Sequence, residues 1–171
     1  MVQIEPFTTQ SPPDVAEQAR ALFREYGEFL RSSGGQAFLN FSRLDAEIDG
    51  LPAAYTSEQG EVLLAMDQSI AMGCIAYRAL LTANDANCCE IKRLFVSPRF
   101  RARGLGRRLI TTALDRARSN GYQTACLDTE PLAMAAAQQL YRDLGFVEDH
   151  ERSAESEIRV VFFKKSLEGA S

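Results

Sequence analysis

The chain contains no tryptophan, a single histidine (His150) and only four cysteines, at positions 74, 88, 89 and 126. The cysteines lack the paired C-x-x-C spacing of structural zinc sites, so the sequence predicts no metal site and four reduced, buried thiols. No apolar run approaches the roughly 20 residues of a membrane helix, and the first ten residues lack the pattern of a signal peptide. We therefore expect a cytoplasmic protein that engages no membrane.

The 171 residues have little excess of either charge, with 19 lysines and arginines, 23 aspartates and glutamates and a formal net charge of −4. Seven cations nevertheless fall in one stretch without an intervening acid: Lys92, Arg93, Arg99, Arg101, Arg103, Arg107 and Arg108. An acidic chain that concentrates positive charge beside a glycine-containing turn is suited to a small polyanion, although a solvated helix end has the same composition. Nucleic acid is disfavoured because Phe100 is the one aromatic residue interleaved with the arginines of 99–108.

The apolar positions predict alternating helical and extended segments. Spacings of three and four residues predict helices over 14–31, over 42–48, from Leu105 to a stop at Asn120, and from Pro131 to a stop at Gly145. Short β-branched runs predict strands over 61–66, 71–80, 90–97, 124–128, 146–148 and 158–164. Residues 167–171 are expected to fray.

The segment 101–107, Arg-Ala-Arg-Gly-Leu-Gly-Arg, lies between a predicted strand and a predicted helix. Gly104 and Gly106 leave the backbone free to adopt positive φ and to approach a ligand closely. The first amides of the helix have no intrahelical acceptor and attract anions. Leu109 stands where a Rossmann fingerprint needs glycine, and the Gly-Lys-Ser/Thr of a Walker A turn is absent. The turn therefore predicts a pyrophosphate site; viewed alone, it fits equally well a turn that only packs helix on sheet.

Two motifs follow one another along the chain. Residues 94–98, Leu-Phe-Val-Ser-Pro, followed by Arg101-x-x-Gly104-x-Gly106, resemble the acetyl-CoA signature of the GNAT acetyltransferases, and 137–146 look like that family's second motif, A-x-x-L-Y-x-x-L-G-F. The resemblance covers about residues 90–146. It implies a mixed α/β (α+β) fold, with a twisted, mostly antiparallel sheet of about six to seven strands, a splayed parallel pair and about four flanking helices.

The resemblance also implies a single domain over 1–171, with acceptor-side helices in 1–58, an acyl-CoA core in 61–165 and a tail over 166–171. The strand backbone would pair with the pantetheine arm of acetyl-CoA, and the amides of the turn would hold the pyrophosphate. The implied cofactor-binding residues are Leu94, Phe95, Val96, Arg101, Ala102, Arg103, Gly104, Leu105, Gly106, Arg107 and Ala137. Met134 stands where many members carry an asparagine, so one polar contact to the arm is expected to be missing or replaced.

Two catalytic residues are implied. Tyr141 would lie near the thioester sulfur and protonate the departing thiolate, because a thiolate leaving group needs a proton as charge develops on sulfur. Without the motif, a tyrosine on this helix face would be assigned to the core. Glu90 stands where several members carry the base that deprotonates the amine; a solvated glutamate, with water as the base, is the alternative. Asp128 and Glu130 are weaker candidates for substrate contact.

The leading hypothesis is an N-acetyltransferase that moves an acetyl group directly from acetyl-CoA to an amine in a ternary complex, without a metal. The acceptor is expected to be a small molecule, although amino acids, peptide termini and protein lysines stay open, as does a homodimer through the final strands. A covalent acyl-cysteine is disfavoured because no histidine is near in sequence to activate a thiol. The alternative function is a non-catalytic acyl-CoA-binding sensor or interaction module, against which the presence of Tyr141 argues.

Overall fold

The computed structural model describes residues 1–34, 40–80, 87–131, 134–155 and 160–169. Its strands are β1 (Gln3–Phe7), β2 (Glu61–Asp67), β3 (Ile70–Ala79), β4 (Cys88–Val96), β5 (Thr124–Thr129), β6 (Val147–Glu148) and β7 (Val161–Ser166). They form one sheet in the order β1-β2-β3-β4-β5-β7-β6. Neighbouring strands are antiparallel except β4 and β5, which run parallel. The predicted mixed fold with a single parallel pair is therefore confirmed.

Helices flank the sheet at each of the four predicted places, and two short ones join them. They are α1 (Pro13–Ser32), α2 (Phe41–Asp49), α3 (Ala53–Thr56), α4 (Leu105–Ser119), α5 (Ala135–Asp143) and α6 (His150–Glu155). The helix predicted from Pro131 begins only at Ala135, because Met134 has a non-helical φ of −112°. Among the described helices, none combines the length and apolar character that a membrane crossing requires.

The strand β1 is an element that the sequence pattern does not reveal. Its run is interrupted by charged and polar side chains and by Pro6, which has no N–H to donate. Such a residue is tolerated at the edge of a sheet, and β1 pairs with β2 alone. Phe7, only 2% exposed, anchors the strand in the core beneath α1. The strand is therefore defined by its pairing and by one buried ring, neither of which is a local signal.

The sheet is covered on both faces, which divides the core in two. The apolar stripe of α1 packs on one face through Ala19, Leu22, Phe23, Tyr26 and Leu30. The stripe of α4 packs on the other face through Leu105, Leu109, Ile110, Ala113, Leu114 and Ala117. Both stripes show the spacing of three and four residues that places side chains on one side of a helix. The central strands are therefore apolar on both faces, and α1 and α4 stand on opposite sides of β4.

The end of the chain is ordered further than predicted. The strand β7 runs to Ser166, and Leu167 is 6% exposed, with its N–H donating to the Gln123 carbonyl at 2.8 Å. Order thus extends two residues into the segment predicted as a tail (166–171), because Leu167 fills a place in the core beside α4. At the other end of this strand, positions 158 and 159 of the predicted 158–164 run lie outside the described residues.

Candidate functional site

The parallel strands β4 and β5 pair only where they begin. The register joins Cys88 to Thr124, Cys89 to Ala125 and Glu90 to Cys126, and among the described residues this pairing goes no further. Beyond Glu90, β4 therefore turns the backbone N–H and C=O groups of its β5 side toward a gap between the strands. Main-chain groups in such a gap need partners, and a ligand can supply them. This is the splayed parallel pair that the sequence predicts.

A β-bulge changes the faces toward which the β4 side chains point, just after the pairing with β5 stops. Positions 76 and 74 of β3 pair with Lys92 and Phe95, so Arg93 and Leu94 together oppose Ile75. Arg93 has a φ of 59°, in the left-handed region. Because two residues oppose one, the alternation of side chains changes sides at this point. Phe95 consequently packs in the core on the α1 side, and Leu94 packs against the core on the α4 side.

A cavity of about 420 Å³ lies between the end of β4, the turn that follows it and α5. We refer to it as the glycine cavity. Its wall consists of Phe29, Leu94, Phe95, Val96, Arg101, Ala102, Gly104, Leu105, Gly106, Arg107, Met134, Ala136, Ala137 and Leu140. Every residue predicted to bind the cofactor is present except Arg103, whose guanidinium lies 5.7 Å over the Phe100 ring. The predicted set thus comes together around one space.

The turn has the backbone of an anion-binding site. Ala102 and Gly104 have φ of 61° and 71°, and Gly104 caps α4 without a side-chain hydrogen bond. A Cβ on Gly104 would meet no atom within 4 Å, and one on Gly106 would meet only Leu140 Cδ2, at 3.6 Å. The space before α4 is therefore open. The amides of the first helical turn and the positive end of the helix dipole both favour an anion there.

The arginines of the turn divide into two groups. Arg101 lines the glycine cavity and donates from Nε to the Val96 carbonyl at 3.1 Å, with its guanidinium over two phenylalanine rings. Arg107 also lines the cavity, and lies 3.4 Å from a carboxylate oxygen of Asp143. Arg108 points away and donates to the first segment of the chain. Arg101 and Arg107 are thus the two guanidinium groups placed to meet a bound anion.

A second cavity, of about 550 Å³, lies beside the first. We refer to it as the tyrosine cavity. Its wall consists of Tyr26, Asn40, Arg43, Ala46, Glu47, Ala54, Glu58, Arg78, Ile91, Lys92, Arg93, Leu94, Asp128, Thr129, Met134 and Tyr141. Leu94 and Met134 also line the glycine cavity, so the two cavities adjoin at these residues. An apolar thioether, Met134, therefore stands at the junction where the resemblance places an asparagine.

Tyr141 is both a packing residue and part of the tyrosine cavity. It is 4% exposed, and its ring lies 5.8 Å from Phe146 and 6.0 Å from Phe163 between centroids. Burial, with smaller contributions from Tyr26 and Asp128, raises the pKa of Tyr141 above its ordinary value. None of the described residues makes a hydrogen bond to its hydroxyl. The phenol therefore keeps its proton at neutral pH and is free to donate it.

The predicted acids differ in their surroundings. The Glu90 carboxylate lies 3.0 Å from Lys92 Nζ and 3.5 Å from Arg78 Nε, and Glu90 is absent from the described walls of both cavities. Asp128 does line the tyrosine cavity, and it forms no ion pair within the described ranges. Glu130 is 8% exposed and lines neither cavity. The role of Glu90 as a base stays a prediction, and of these three predicted acids Asp128 is the one that lines the tyrosine cavity.

A buried ion pair forms one side of the tyrosine cavity, and the sequence pattern does not indicate it. Arg93 donates from Nε and Nη2 to the two carboxylate oxygens of Glu47, each at 2.9 Å, although the residues are 46 positions apart. Their side chains are only 10% and 11% exposed. Tyr55 donates to the same carboxylate at 2.5 Å. Burial raises the pKa of Glu47, but Arg93 and Tyr55 outweigh it and hold the pKa below its ordinary value. The pair ties α2 to the bulge of β4.

All four cysteines are buried, as predicted. Cys74 and Cys89 lie inside the two cores, where burial raises the pKa of both, that of Cys89 to about 12. The sulfurs of Cys88 and Cys126 are 2.8 Å apart across the paired part of β4 and β5. No cysteine is among the described residues of either cavity wall, and that part of the chain holds no cluster of three or more metal-ligating side chains.

Comparison with known proteins finds relatives of both the sequence and the fold. The family described as the acetyltransferase (GNAT) family matches residues 17–146. An uncharacterised N-acetyltransferase of Schizosaccharomyces pombe is 32% identical over 120 residues, which is 70% of each chain. The fold is similar to a GNAT-family acetyltransferase of Staphylococcus aureus (TM-score 0.74, 16% identity, 98% and 100% of the two chains). It is also similar to yncA of Salmonella typhimurium, solved with its cofactor acetyl-CoA (TM-score 0.69, 17% identity, 99% and 96%).

Proposed function

The chain belongs to the GNAT acetyltransferase family, and on this premise we propose that it is an N-acetyltransferase that moves an acetyl group from acetyl-CoA to the amine of a small molecule. The observation that carries the proposal is the meeting of the two cavities at Leu94 and Met134. Adjoining cavities hold two substrates side by side, as direct transfer requires. In this arrangement 1–58 supplies much of the acceptor side, and 61–165 supplies the acyl-CoA core.

The glycine cavity is the proposed site of acetyl-CoA. The open edge of β4 at residues 94–96 offers backbone groups to the pantetheine arm, and the amides and arginines of 101–107 hold the pyrophosphate. Three observations support this: the gap beyond Glu90, the left-handed Gly104 with free space around it, and the N-terminus of α4 directed at that space. The similarity to a protein solved with acetyl-CoA supports it further.

Acetyl-CoA supplies the acyl group as an activated thioester. The acceptor nitrogen forms a bond to the carbonyl carbon, and the bond from that carbon to sulfur breaks. An ammonium acceptor loses two protons in becoming an amide. We assign the proton that ends on sulfur to Tyr141, whose raised pKa keeps the hydroxyl protonated and whose side chain lines the tyrosine cavity. One of the two protons from nitrogen restores the Tyr141 hydroxyl, and the other leaves to solvent through a carboxylate, either Glu90 acting through a water molecule or Asp128.

Calorimetric titration with acetyl-CoA tests the proposed cofactor site. Gly106→Leu is expected to weaken binding at least about 100-fold, or about 2.7 kcal/mol, because the added side chain extends into the glycine cavity. Space for its Cβ exists, since only Leu140 lies nearby, so the variant is expected to fold. Thr111→Leu is the matched control, an exposed position on the same helix at which acetyl-CoA affinity is expected to stay unchanged.

Two results would contradict this part of the proposal. Folded wild-type protein that takes up no acetyl-CoA would mean that the turn serves only to pack α4 on the sheet. Equal affinity of wild type and Gly106→Leu would place the cofactor elsewhere on the molecule. Circular dichroism of both variants ensures that a loss of binding reflects the site and not the fold.

Single cysteine replacements test direct transfer against an acyl-enzyme. Each of the four Cys→Ser variants that folds is expected to keep kcat within a few-fold of wild type, because no cysteine lines either cavity among the described residues. The readout is steady-state turnover together with mass spectrometry of the protein after mixing with acetyl-CoA alone. A stable gain of one acetyl group on a cysteine, lost on addition of acceptor, would replace direct transfer with a covalent route.

A further inference from the structure

The tyrosine cavity has charges of both signs in its wall, and most of them neutralise one another. Its cations are Arg43, Arg78, Lys92 and Arg93, and its acids are Glu47, Glu58 and Asp128. Arg93 is paired with Glu47, Arg78 lies 3.3 Å from Glu58, and Lys92 lies 3.0 Å from Glu90 just behind the wall. Within the described ranges, two charges of this wall remain without an ion pair: the carboxylate of Asp128 and the guanidinium of Arg43.

These two charges lie on different elements and differ in exposure. Asp128 is partly buried on β5 and acts electrostatically on the hydroxyls of both Tyr26 and Tyr141, which places it on the catalytic side of the cavity. Arg43 is exposed on the first turn of α2. Next to Asp128, the hydroxyl of Thr129 is buried and has no hydrogen-bond partner among the residues described. Asp128 and the Thr129 hydroxyl are withdrawn from water without full compensation, which a ligand can supply, whereas the exposed Arg43 is free to meet a ligand at the mouth of the cavity.

We propose that the acceptor is a zwitterion: a primary amine whose ammonium lies against Asp128 and whose anionic group, a carboxylate or a phosphate, lies against Arg43. The inference rests on the proposed function, because it is the amine that must reach the junction of the two cavities. A guanidinium binds planar or tetrahedral oxyanions through two parallel hydrogen bonds, which suits Arg43 to either anion. A cavity of about 550 Å³ is within the range of small-molecule sites.

The chemistry of the reaction fits this polarity. The ammonium that Asp128 attracts becomes a neutral amide, so acetylation removes the attraction that brought the amine to the carboxylate. The anion at Arg43 is unchanged by the reaction, and it fixes the end of the acceptor that points outward. Asp128 thus selects the amine over the product, and Arg43 selects acceptors by a group that takes no part in bond formation.

Acceptor pairs that differ by one charge test the proposal. Leucine is compared with leucinamide, and O-phosphoethanolamine with ethanolamine, by kcat/KM at saturating acetyl-CoA. We expect the anionic member of one pair to be preferred by about tenfold or more. Arg43→Gln should bring that preference close to one by raising KM for the anionic acceptor. Arg118→Gln is the control, since Arg118 is also exposed but lies on α4, on the opposite face of the sheet, and should leave the preference unchanged.

The change caused by Arg43→Gln is the decisive measurement, because an amide also lowers the basicity of the neighbouring amine. The pair that loses its preference shows whether the anion is a carboxylate or a phosphate. Asp128→Asn should raise KM for every amine and leave calorimetric binding of acetyl-CoA unaltered.

A preference unaffected by Arg43→Gln, equal use of neutral and anionic acceptors, or binding of acetyl-CoA with no turnover of any of the four would overturn the inference. Failure of the proposed function itself has a different signature, namely absence of acetyl-CoA binding to the folded wild-type protein.

Discussion

Replacing Tyr141 with phenylalanine is expected to lower kcat by about 10²–10⁴-fold, the usual contribution of a positioned general acid. The change removes one oxygen and keeps the ring contacts with Phe146 and Phe163. Because no described residue bonds the hydroxyl, its loss leaves no buried partner unsatisfied, and the fold should be retained. Release of the coenzyme A thiol at saturating acetyl-CoA measures the effect, and calorimetry should show unchanged binding of acetyl-CoA.

Tyr122→Phe is the matched control for this variant. Tyr122 is also buried, but its hydroxyl donates to the Gln59 carbonyl at 2.8 Å and the residue lines neither cavity. Its replacement should cost some stability, about 1 kcal/mol for a lost hydrogen bond, and leave kcat unchanged. Wild-type turnover in Tyr141→Phe would show that the tyrosine is a packing residue and that another group or water protonates the sulfur.

The pH profile gives an independent view of the same hydroxyl. An acid whose pKa is raised keeps its proton to higher pH, so Tyr141 should produce no falling limb in kcat up to about pH 10, the ordinary pKa of a tyrosine. The rate should instead rise with pH while the amine and its base lose their protons, and then level off. A rate that fell already between pH 7 and 9 would mean that a different, more acidic group donates the proton.

The residues that line the glycine cavity could be predicted from sequence because their signals are local. Gly104 and Gly106 stand between a strand and a helix, and the physical reason for glycine at such a turn requires only neighbouring residues. Tyr141 belongs to a motif within one helix. These residues line the two cavities because β4, the turn, α4, β5 and α5 follow one another directly along the chain. The structure shows in addition that Arg103 and Arg108 line neither cavity.

The wall of the tyrosine cavity could not be predicted, because it is assembled from distant segments. The pairing of Glu47 with Arg93 joins α2 to β4, and Arg43 of α2 and Asp128 of β5 line one cavity because the fold brings both elements to it. The sequence does contain a weak signal of the bulge. Two adjacent cations, Lys92 and Arg93, lie inside an apolar strand whose side chains should alternate between the two faces of the sheet. A strand without a bulge would turn one of them into the core, so the pair of charges could have indicated a change of register.

The buried pair of Arg93 and Glu47 carries the second large prediction. Two charges that are 10% and 11% exposed have lost most of their hydration, and each depends on the other for compensation. Removing only the carboxylate leaves a buried guanidinium that keeps its proton, because the ordinary pKa of an arginine side chain is too high for deprotonation in a protein. Such a charge cannot be neutralised in place and has to be rehydrated by opening the structure.

Glu47→Ala is therefore expected to lower the free energy of unfolding by about 3–5 kcal/mol, measured by urea denaturation. Because the folded-state pKa of Glu47 is lowered, its contribution is fully present above the unfolded value of about 4.3 and is lost as pH falls through the folded value. The difference in stability between wild type and Glu47→Ala should consequently be constant near neutral pH and shrink at acidic pH.

Two further variants show whether the stability lost in Glu47→Ala comes from the uncompensated charge of Arg93 or from lost packing. Glu17→Ala removes an acid from an exposed pair with Arg24, where the side chains are 64% and 49% exposed, and should change stability by less than about 1 kcal/mol. Adding Arg93→Met to Glu47→Ala removes the stranded cation and should restore much of the lost stability. If the double variant were as unstable as Glu47→Ala alone, the loss would come from packing around α2, and the ion pair would be a consequence of the fold instead of a requirement for it.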